Sequence, residues 1–308
     1  MCTTISKNAN GLIFGRNMDI ECSFGEKFVF TPRNYPLNYK CLATNESHYA
    51  MYGTAAVIDN CPLYAEGANE KGLCIAALNF VGNAHYRDYA DGRINVAPYE
   101  LIPVILSSCC SVEEARHLLS DINIVAIPFK EGIPLPSLHY HIADEKESIV
   151  FEATENGNKI YSNPVGVLAN NPQFNIQLSN LSAYNHLKNQ TREPTFYGIE
   201  PYSYGICATG LPGDYSSFSR FVKASYISHF SSWEDKIPQM LHLLSAVSVP
   251  KGAVVNNGKE HYTLYKCCID AKEHIYYYRP YSSLETVVIN TAKLPIDAAR
   301  LEIFDFMC

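Results

Sequence analysis

The sequence of 308 residues lacks the features that mark membrane, secreted and nucleic-acid-binding proteins. No stretch approaches the roughly 18 consecutive apolar residues that a membrane span needs. The longest apolar run near the start, 12–14, is too short for a secretion signal. Lys and Arg are scattered without a block of like charge, and the net charge is −7. These absences predict a cytoplasmic chain without a membrane or nucleic-acid partner.

Metal-binding and disulfide patterns are also missing. Eleven cysteines are too few, in a chain this long, for a disulfide scaffold. No C-x2-C or H-x3-H set occurs, so neither a metal nor another cofactor is predicted. His139 and His141 are predicted to share one face of a strand with no set of carboxylates beside them. Most cysteines are predicted to be small buried apolar side chains in a reducing cytoplasm.

What is present indicates an ordinary globular chain with a large core. Hydrophobic residues make up 47% and charged residues 18% of the sequence. No repeat, low-complexity segment or domain boundary is visible, so residues 1–308 are predicted to form a single domain. The longest irregular stretch, 188–212, is predicted to be a functional loop, because long loops inside compact domains usually are.

Strand-like and helical segments are grouped along the chain. Strands are predicted over 2–6, 12–20, 27–30, 49–58, 72–80, 138–143, 148–153, 159–161, 261–270 and 274–282. Helices are predicted over 98–108, 112–119, 175–187, 216–229 and 233–247. Grouped strands joined by hairpin-length links favour a layered, mainly antiparallel α+β fold.

The first nineteen residues predict a β-hairpin that returns to the chain's first thiol. Asn10-Gly11 lies between two apolar runs, which is a strong hairpin signal because both residues accept positive φ. A two-residue turn places Cys2 opposite Asp19, with Arg16 close by. A longer loop shifts the register by a residue or two but leaves Arg16 and Asp19 at the same end.

This hairpin gives Cys2 the groups that a nucleophile needs. Removal of Met1 is expected, because cysteine is a small second residue, and it would leave an α-amine on Cys2 that can take the thiol proton. Arg16 would favour the thiolate, and Asp19 could hold the ammonium group. The alternative from these residues alone is that Cys2 is an incidental residue of an edge strand.

Later motifs decide between these alternatives. They are MCT at 1–3, FGRNMD at 14–19, TPRNYPL at 31–37, NEKGLCIAALNF at 69–80, LHYHIAD at 138–144, NPVGVLANNPQF at 163–174, GLPGDYSSFSRF at 210–221 and YYYRPY at 276–281. In these stretches, which cover almost the whole length in order, the chain resembles the choloylglycine hydrolases, the family of bile salt hydrolases and penicillin V acylases among the N-terminal nucleophile hydrolases.

The resemblance implies a catalytic set and a four-layered αββα sandwich of two mainly antiparallel sheets. Cys2 matches the nucleophile, and Arg16 and Asp19 match the pair beside it. Asn79 and Asn170 match asparagines at the oxyanion site, where amide N–H groups stabilise the tetrahedral intermediate. The last member of the implied set, Arg220, matches a buried arginine.

The resemblance also implies the substrate. Asn79 in LNF is similar to the bile salt hydrolases, whereas the Gram-positive penicillin V acylases usually have tyrosine there. The expected reaction is therefore hydrolysis of glycine- or taurine-conjugated bile salts in a homotetramer, with some acyltransferase activity. An apolar steroid pocket is implied at Met18, Ile58, Ala65, Phe129, Ile133 and Leu138.

Several alternatives stay open at this point. Penicillin V acylase activity, or hydrolysis of another N-acyl amide, is the main one. A non-catalytic binding protein and a metal-dependent hydrolase are the others. The preference between glycine and taurine is also open, because Tyr204 and Cys207 replace small residues in the stretch YSYGICATG at 202–210, which by resemblance shapes that end of the pocket.

Overall fold

The computed structural model describes residues 1–190, 197–200 and 203–306. The strands in these ranges are β1 (Cys2–Asn8), β2 (Leu12–Ile20), β3 (Lys27–Thr31), β4 (Met51–Ile58), β5 (Cys61–Asn69), β6 (Cys74–Asn79), β7 (Ile94–Val96), β8 (Ile122–Ile124), β9 (Leu138–Ala143), β10 (Ser148–Thr154), β11 (Gly157–Ser162), β12 (Val167–Leu168), β13 (Val255–Asn256), β14 (Lys259–Glu260), β15 (Tyr262–Asp270), β16 (Ile275–Pro280), β17 (Val287–Asn290) and β18 (Glu302–Phe304). The helices are α1 (Leu101–Ser108), α2 (Val112–Asp121), α3 (Phe174–Leu181), α4 (Ser217–Phe230) and α5 (Lys236–Ala246).

Two large sheets form the centre of the fold. The first has the order β12-β1-β2-β15-β16-β17, and the second has the order β11-β10-β9-β6-β5-β4-β3-β18. Every neighbouring pair in both sheets is antiparallel. A short parallel pair, β7 with β8, and a small hairpin, β13 with β14, lie outside them.

Helices cover the outer face of each sheet. Helices α4 and α5 pack on β1, β2 and β15, whereas α1 packs on β4, β5 and β6. One apolar cluster lies between the sheets and extends under α4 and α5, and a second lies between the second sheet and α1 with α2. The arrangement is the four-layered αββα sandwich, so the predicted fold is confirmed.

The strand β9 shows how both faces of the second sheet are buried. Tyr140 and Ile142 belong to the apolar cluster beneath α1. His141 faces the first sheet instead, with Nδ1 2.8 Å from the hydroxyl of Thr4, and burial lowers its pKa to about 3. His139 shares that face but is 3.1 Å from a carboxylate oxygen of Glu152. One carboxylate, that of Glu152, therefore lies beside His139, because β10 pairs with β9.

Local sequence features fix where α4 and α5 sit on the first sheet. The hydroxyl of Ser216 accepts a hydrogen bond from the backbone N–H of Ser219 and caps the start of α4. Gly15 lies under α5, where a Cβ would approach the sulfur of Met240 to 2.6 Å. Glycine at this position therefore allows the close contact between β2 and the helix that covers it.

The N-terminal hairpin forms as predicted but with a different register. Asn8 pairs with Leu12, so the loop has three residues rather than two, and Cys2 lies opposite Met18 instead of Asp19. Asn10 and Gly11 both have positive φ, at 56° and 118°. The register therefore differs by one residue. Asp19 still contacts the chain start, because its backbone N–H donates to the carbonyl of Met1 over 3.0 Å.

Most predicted elements are present, with differences at several ends. Leu12–Ile20 and Leu138–Ala143 match the predicted bounds. Helix α3 stops at Leu181, and a single 3-10 turn replaces the rest of the predicted helix over 175–187. The hydroxyl of Ser182 donates to the carbonyl of Ser179 at 2.7 Å, which competes with helix continuation. The strand β5, which the sequence interpretation missed, is a central member of the second sheet.

The expectation for residues 188–212 can be compared with the structure only in part, because 191–196 and 201–202 lie outside the described residues. The described part contains a 3-10 turn at Ile206–Ala208 and an almost fully exposed Tyr204. Across the described ranges, no helix is long and apolar enough to cross a membrane.

Ten cysteines lie in the described part of the chain, and all ten are free. Five of them are buried, so the expectation that most are buried apolar side chains is wrong for this part of the chain. The five others are partly or fully exposed because they lie mainly in loops and at the ends of elements: Cys22, Cys41, Cys61, Cys110 and Cys207.

Candidate active site

Cys2 occupies the start of β1, and its thiol faces the space between the two sheets. The residue is 4% exposed and therefore almost completely buried. Nη2 of Arg16 donates to Sγ over 3.4 Å, and Sδ of Met18 is 3.7 Å from the same sulfur. A guanidinium at this distance stabilises a thiolate relative to a thiol.

Arg16 is held in place by Glu66 from the opposite sheet. Nη1 of Arg16 donates to Oε2 of Glu66 over 2.9 Å and also to the carbonyl of Ala65. Both charged side chains are almost completely buried. Burial lowers the pKa of Arg16, but interactions with the acidic groups of Cys2, Tyr265 and Glu66 outweigh it and raise the pKa overall. The guanidinium therefore stays charged.

Glu66 is a part of this arrangement that the sequence interpretation missed. Its carboxylate accepts hydrogen bonds from the hydroxyls of Tyr265 and Tyr276 over 2.9 and 3.0 Å. A Cβ on Gly53, in the neighbouring strand, would lie 2.0 Å from the carbonyl oxygen of Glu66. Glycine there lets β4 and β5 approach closely. A glutamate within an apolar stretch, next to a glycine, could have signalled a buried carboxylate but not its contact with Arg16.

The backbone nitrogen of Cys2 is bound by Asn170. The N–H of Cys2 donates to Oδ1 of Asn170 over 2.6 Å, and Nη2 of Arg220 donates to the same oxygen over 2.9 Å. Nδ2 of Asn170 donates to the carbonyl of Asn79 over 2.8 Å. These partners fix the orientation of the amide, because its oxygen faces two donors and its nitrogen faces an acceptor. The second N–H of Nδ2 remains available to another acceptor.

Arg220 reaches Cys2 from the helical layer, on the other face of the sheet. Nη1 donates to the carbonyl of Cys2 over 2.5 Å and also to the hydroxyl of Thr3. Nε donates to the carbonyl of Tyr215 over 3.1 Å. Nη1 is 3.7 Å from a carboxylate oxygen of Asp19, so the buried guanidinium has a counter-charge.

Asp19 lies beside the chain start without touching the thiol. Its backbone carbonyl accepts a hydrogen bond from the ammonium group of Met1 over 2.6 Å. One carboxylate oxygen accepts from the hydroxyl of Thr263 over 2.5 Å. Burial raises the pKa of Asp19, and the charge of Arg220 together with the Thr263 hydrogen bond opposes that rise.

Asn79 ends β6 with its side chain exposed. Its carbonyl is the group that binds Asn170, and its own amide has no hydrogen bond to the described residues. The structure therefore joins Asn79 to the site through the backbone and leaves the side chain available to a ligand.

The six apolar residues that were expected to form a pocket are all partly buried. Met18 contacts the thiol, the carbonyl of Ala65 accepts from Arg16, and Leu138 is paired with Asn79. Phe129 packs edge-on against Tyr99, with ring centroids 5.5 Å apart. No described contact joins Phe129, Ile58 or Ile133 to the thiol. Among the described residues, no group of three or more His, Cys, Asp or Glu side chains is arranged to hold a metal ion.

A thiol on the first residue of an inner strand, in an αββα sandwich, defines the class of N-terminal nucleophile hydrolases. Within that class, the sequence profile of the linear amide C–N hydrolases of the choloylglycine hydrolase family matches residues 2–304. The chain belongs to this family.

Individual relatives agree with this assignment. The chain is 42% identical over 300 residues to a bile salt hydrolase/transferase of Lactiplantibacillus plantarum, covering 94% of this chain and 93% of the relative. The crystal structure of the C2A mutant of conjugated bile acid hydrolase from Clostridium perfringens matches with a TM-score of 0.94 at 31% identity, covering 100% of this chain and 97% of that chain. Penicillin V acylase from Agrobacterium tumefaciens has the same fold, with a TM-score of 0.78 at 19% identity, covering 99% of this chain and 91% of that chain.

Proposed function

We propose that the protein hydrolyses the amide bond of glycine- or taurine-conjugated bile salts, with Cys2 as the nucleophile. The observation that carries this proposal is that both the sulfur and the backbone nitrogen of Cys2 have a polar partner. Arg16 faces its sulfur, and Asn170 faces its nitrogen. The substrate class is supported by the bile salt hydrolase/transferase of L. plantarum, which is 42% identical.

Removal of Met1 is the first step of the proposed mechanism. It converts the backbone nitrogen of Cys2 into an α-amine at a position where Oδ1 of Asn170 already accepts its N–H. An α-amine has a pKa of about 7.7–8.0, against about 8.5 for a thiol, so it can take the thiol proton near neutral pH. The thiolate that forms faces the guanidinium of Arg16, which stabilises it.

Acyl transfer then proceeds in two stages. The thiolate attacks the amide carbonyl and forms a tetrahedral oxyanion, for which the second N–H of Asn170 and the side chain of Asn79 are the proposed donors. The protonated α-amine gives its proton to the leaving nitrogen, so the C–N bond breaks and glycine or taurine leaves. Water, deprotonated by the same amine, hydrolyses the thioester to the bile acid and restores the thiol.

The arginines and Asp19 have separate proposed roles. Arg16 stabilises the thiolate, and Arg220 fixes the backbone carbonyl of Cys2. Asp19 compensates the charge of Arg220 and holds the chain start. The proposed pocket for the steroid is lined by the partly buried apolar set Met18, Ile58, Ala65, Phe129, Ile133 and Leu138.

Acyltransferase activity is a second proposed activity of the same site. It is supported by the description of the L. plantarum relative as a hydrolase/transferase. An amine that replaces water at the thioester stage would form a new amide and release the same thiol.

The experiment that tests the proposal measures the release of glycine and taurine from their cholate conjugates, with penicillin V as an alternative substrate. We expect rapid release from at least one conjugate, and loss of that release in Cys2→Ala. Cleavage of penicillin V alone would move the activity to the acylases. If a chain verified to start at Cys2 cleaved neither conjugate, the proposal would be wrong.

We further propose a single catalytic domain that assembles into a homotetramer in the cytoplasm, with residues 188–212 contributing to assembly. The ten free cysteines of the described part are compatible with a reducing compartment. Light scattering on the purified chain tests the assembly, and a monomeric mass would contradict it.

A further inference from the structure

A cavity lies on the helix-covered side of the first sheet. Its volume is about 320 Å³, and it opens between the end of α5 and the strands β15 and β16. Its wall includes Ser245 from α5, Lys266 from β15 and Arg279 from β16. None of the twelve residues proposed above for the catalytic set or the steroid pocket lines it.

Two cations lie side by side on one wall of this cavity. Lys266 and Arg279 are directly opposite in the antiparallel register of β15 and β16. Like charges at opposed positions destabilise a sheet. No Asp or Glu is among the residues that line the cavity. The fold thus places two positive charges side by side in a cavity whose lining supplies no negative charge to compensate them.

The two cations make few hydrogen bonds with the described residues. Arg279 has no hydrogen bond or ion pair with the residues that the structure describes. Lys266 donates only to the hydroxyl of Ser245, over 2.8 Å. Burial lowers the pKa of Lys266, and repulsion from Arg279 adds to this effect, whereas Asp19 opposes it. An anion in the cavity would relieve that repulsion.

Hydroxyl donors lie on the same wall. The hydroxyl of Ser283 accepts a hydrogen bond from the N–H of Glu285 over 3.0 Å. The hydroxyl of Tyr281 accepts from the N–H of Lys251 over 3.2 Å. Because each acts as an acceptor to the protein, each retains its own O–H to donate to a ligand.

The mouth of the cavity is apolar. Leu284 is 87% exposed, and Tyr281 is about half exposed. Pro250, which is also exposed, lies on the lining as well. A ligand that fills the cavity therefore meets positive charge and hydroxyl donors at the bottom and apolar surface at the entrance.

We propose that this cavity binds a small organic anion, with an acidic oxygen headgroup on Lys266 and Arg279 and an apolar body against Leu284 and Tyr281. Guanidinium groups suit such a headgroup because they can form two parallel hydrogen bonds to it. The volume lies at the lower end of the range for small-molecule pockets, which limits the body to about the size of one ring.

The test uses benzoate as the probe and the full-length Cys2→Ala variant as the protein. Ligand-observed NMR gives the dissociation constants of benzoate, neutral benzamide and inorganic phosphate at low salt. We expect benzoate to bind at least about tenfold more tightly than either of the other two, because only benzoate combines the charge with an apolar body.

Variants assign the binding to the cavity. Arg279→Gln should weaken benzoate binding by about tenfold or more, and Arg279→Lys by less, because it keeps the charge and loses the paired hydrogen bonds. Arg300→Gln, which removes an exposed arginine elsewhere, should leave the constant unchanged. Thermal unfolding without ligand verifies that each variant is folded.

Three results would overturn the proposal. One is the absence of benzoate binding to Cys2→Ala, which includes the case in which another subunit covers the cavity. Another is an unchanged constant in a folded Arg279→Gln variant, which would place benzoate elsewhere, such as beside residue 2. The third is equal binding of phosphate and benzoate, which would exclude the apolar contact. Hydrolysis of bile salts is measured in a separate assay, so a negative result in the benzoate experiment leaves the proposed function unaffected.

Discussion

The backbone N–H of Cys2 donates to Oδ1 of Asn170 over 2.6 Å, across 168 positions of the sequence. The same oxygen accepts from Arg220, and the other end of the amide binds the carbonyl of Asn79. One side chain therefore links the nitrogen of the proposed nucleophile, a buried cation and the strand that ends beside the site. An amide is suited to this position because it combines an acceptor and a donor.

Replacing Asn170 with Asp is expected to separate the role of the amide as an acceptor from its role as a donor. Asp keeps an oxygen for Cys2 and Arg220 but has no N–H for Asn79 or an oxyanion. We expect kcat for conjugate hydrolysis to fall by about 10²–10³, the usual effect of losing an oxyanion donor, with a smaller change in KM. Asn185→Asp, on an exposed turn, is the matched control. Unaltered kcat in a folded Asn170→Asp variant would argue against the proposed role.

The buried carboxylate of Glu66 is expected to act as a positioning residue through Arg16. Glu66→Gln keeps the size of the side chain and one accepting oxygen but loses the negative charge, so Arg16 carries more uncompensated positive charge. We expect kcat to fall by about tenfold, because Arg16 is less firmly held. The acidic limb of the pH–rate profile should move to lower pH, because the thiolate is stabilised further.

The control for this prediction is Glu147→Gln, which removes a carboxylate that pairs with Arg116 at the surface. A merely structural role for Glu66 would lower the melting temperature and leave the pH profile in place. That combination, a lower Tm with an unshifted acidic limb, is the result that would contradict the positioning role.

The state of the chain start should control activity completely. With Met1 attached, the nitrogen of Cys2 is an amide without a basic lone pair, and the Met1 ammonium is bound to the carbonyl of Asp19. We expect a chain with an uncleaved N-terminal extension to be inactive. Proteolytic exposure of Cys2 should restore activity, and intact mass should show the loss of Met1 in the active protein.

The control for steric effects is a chain that carries the same extension at its C-terminus. Full activity in a chain whose mass includes Met1 would show that the α-amine of Cys2 is not the base.

His141 is expected to make stability depend on pH. Its pKa is lowered from 6.5 to about 3 in the folded chain because it is buried. The unfolded chain therefore binds a proton at higher pH than the folded one. The contribution is fully present above about pH 7.5 and is lost as the pH falls through 6.5 towards 3. Between pH 7 and pH 5 the loss is about 2 kcal/mol.

Urea unfolding of the unaltered chain and of His141→Gln between pH 7 and pH 5 measures this effect. The substitution is expected to cost stability at every pH, since His141 binds Thr4, and to flatten the pH dependence. Parallel pH curves for the two chains would rule out a role for this histidine.

The sequence predicted the position of the thiol better than it predicted the residues that surround the thiol. Asn10-Gly11 identified the hairpin and hence the end at which Arg16 and Asp19 return. The register could not be predicted, because a two-residue and a three-residue loop both accept these residues. Only the structure shows that Met18 is the residue opposite Cys2.

The contact of Glu66 with Arg16 could not be predicted from a local sequence pattern, because Glu66 reaches Arg16 from the other sheet. Its strand, CPLYAEGAN, contains proline, glycine and glutamate, which strand patterns disfavour. Burial on both faces of that sheet also removes the alternation of polar and apolar residues that marks a half-exposed strand. Contacts between sheets depend on how the layers stack, and no local pattern encodes that.

Alternation along β2 has a consequence for how the site could change. Arg16 and Met18 project between the sheets towards the thiol, while Asn17 and Asp19 project towards the helices, where Arg220 lies. The sulfur of Cys2 is thus contacted by Arg16 from one side of this strand, and its carbonyl is contacted by Arg220 from the other side. In the proposed mechanism, substitutions between the sheets and substitutions in the helical layer are therefore expected to act on Cys2 independently.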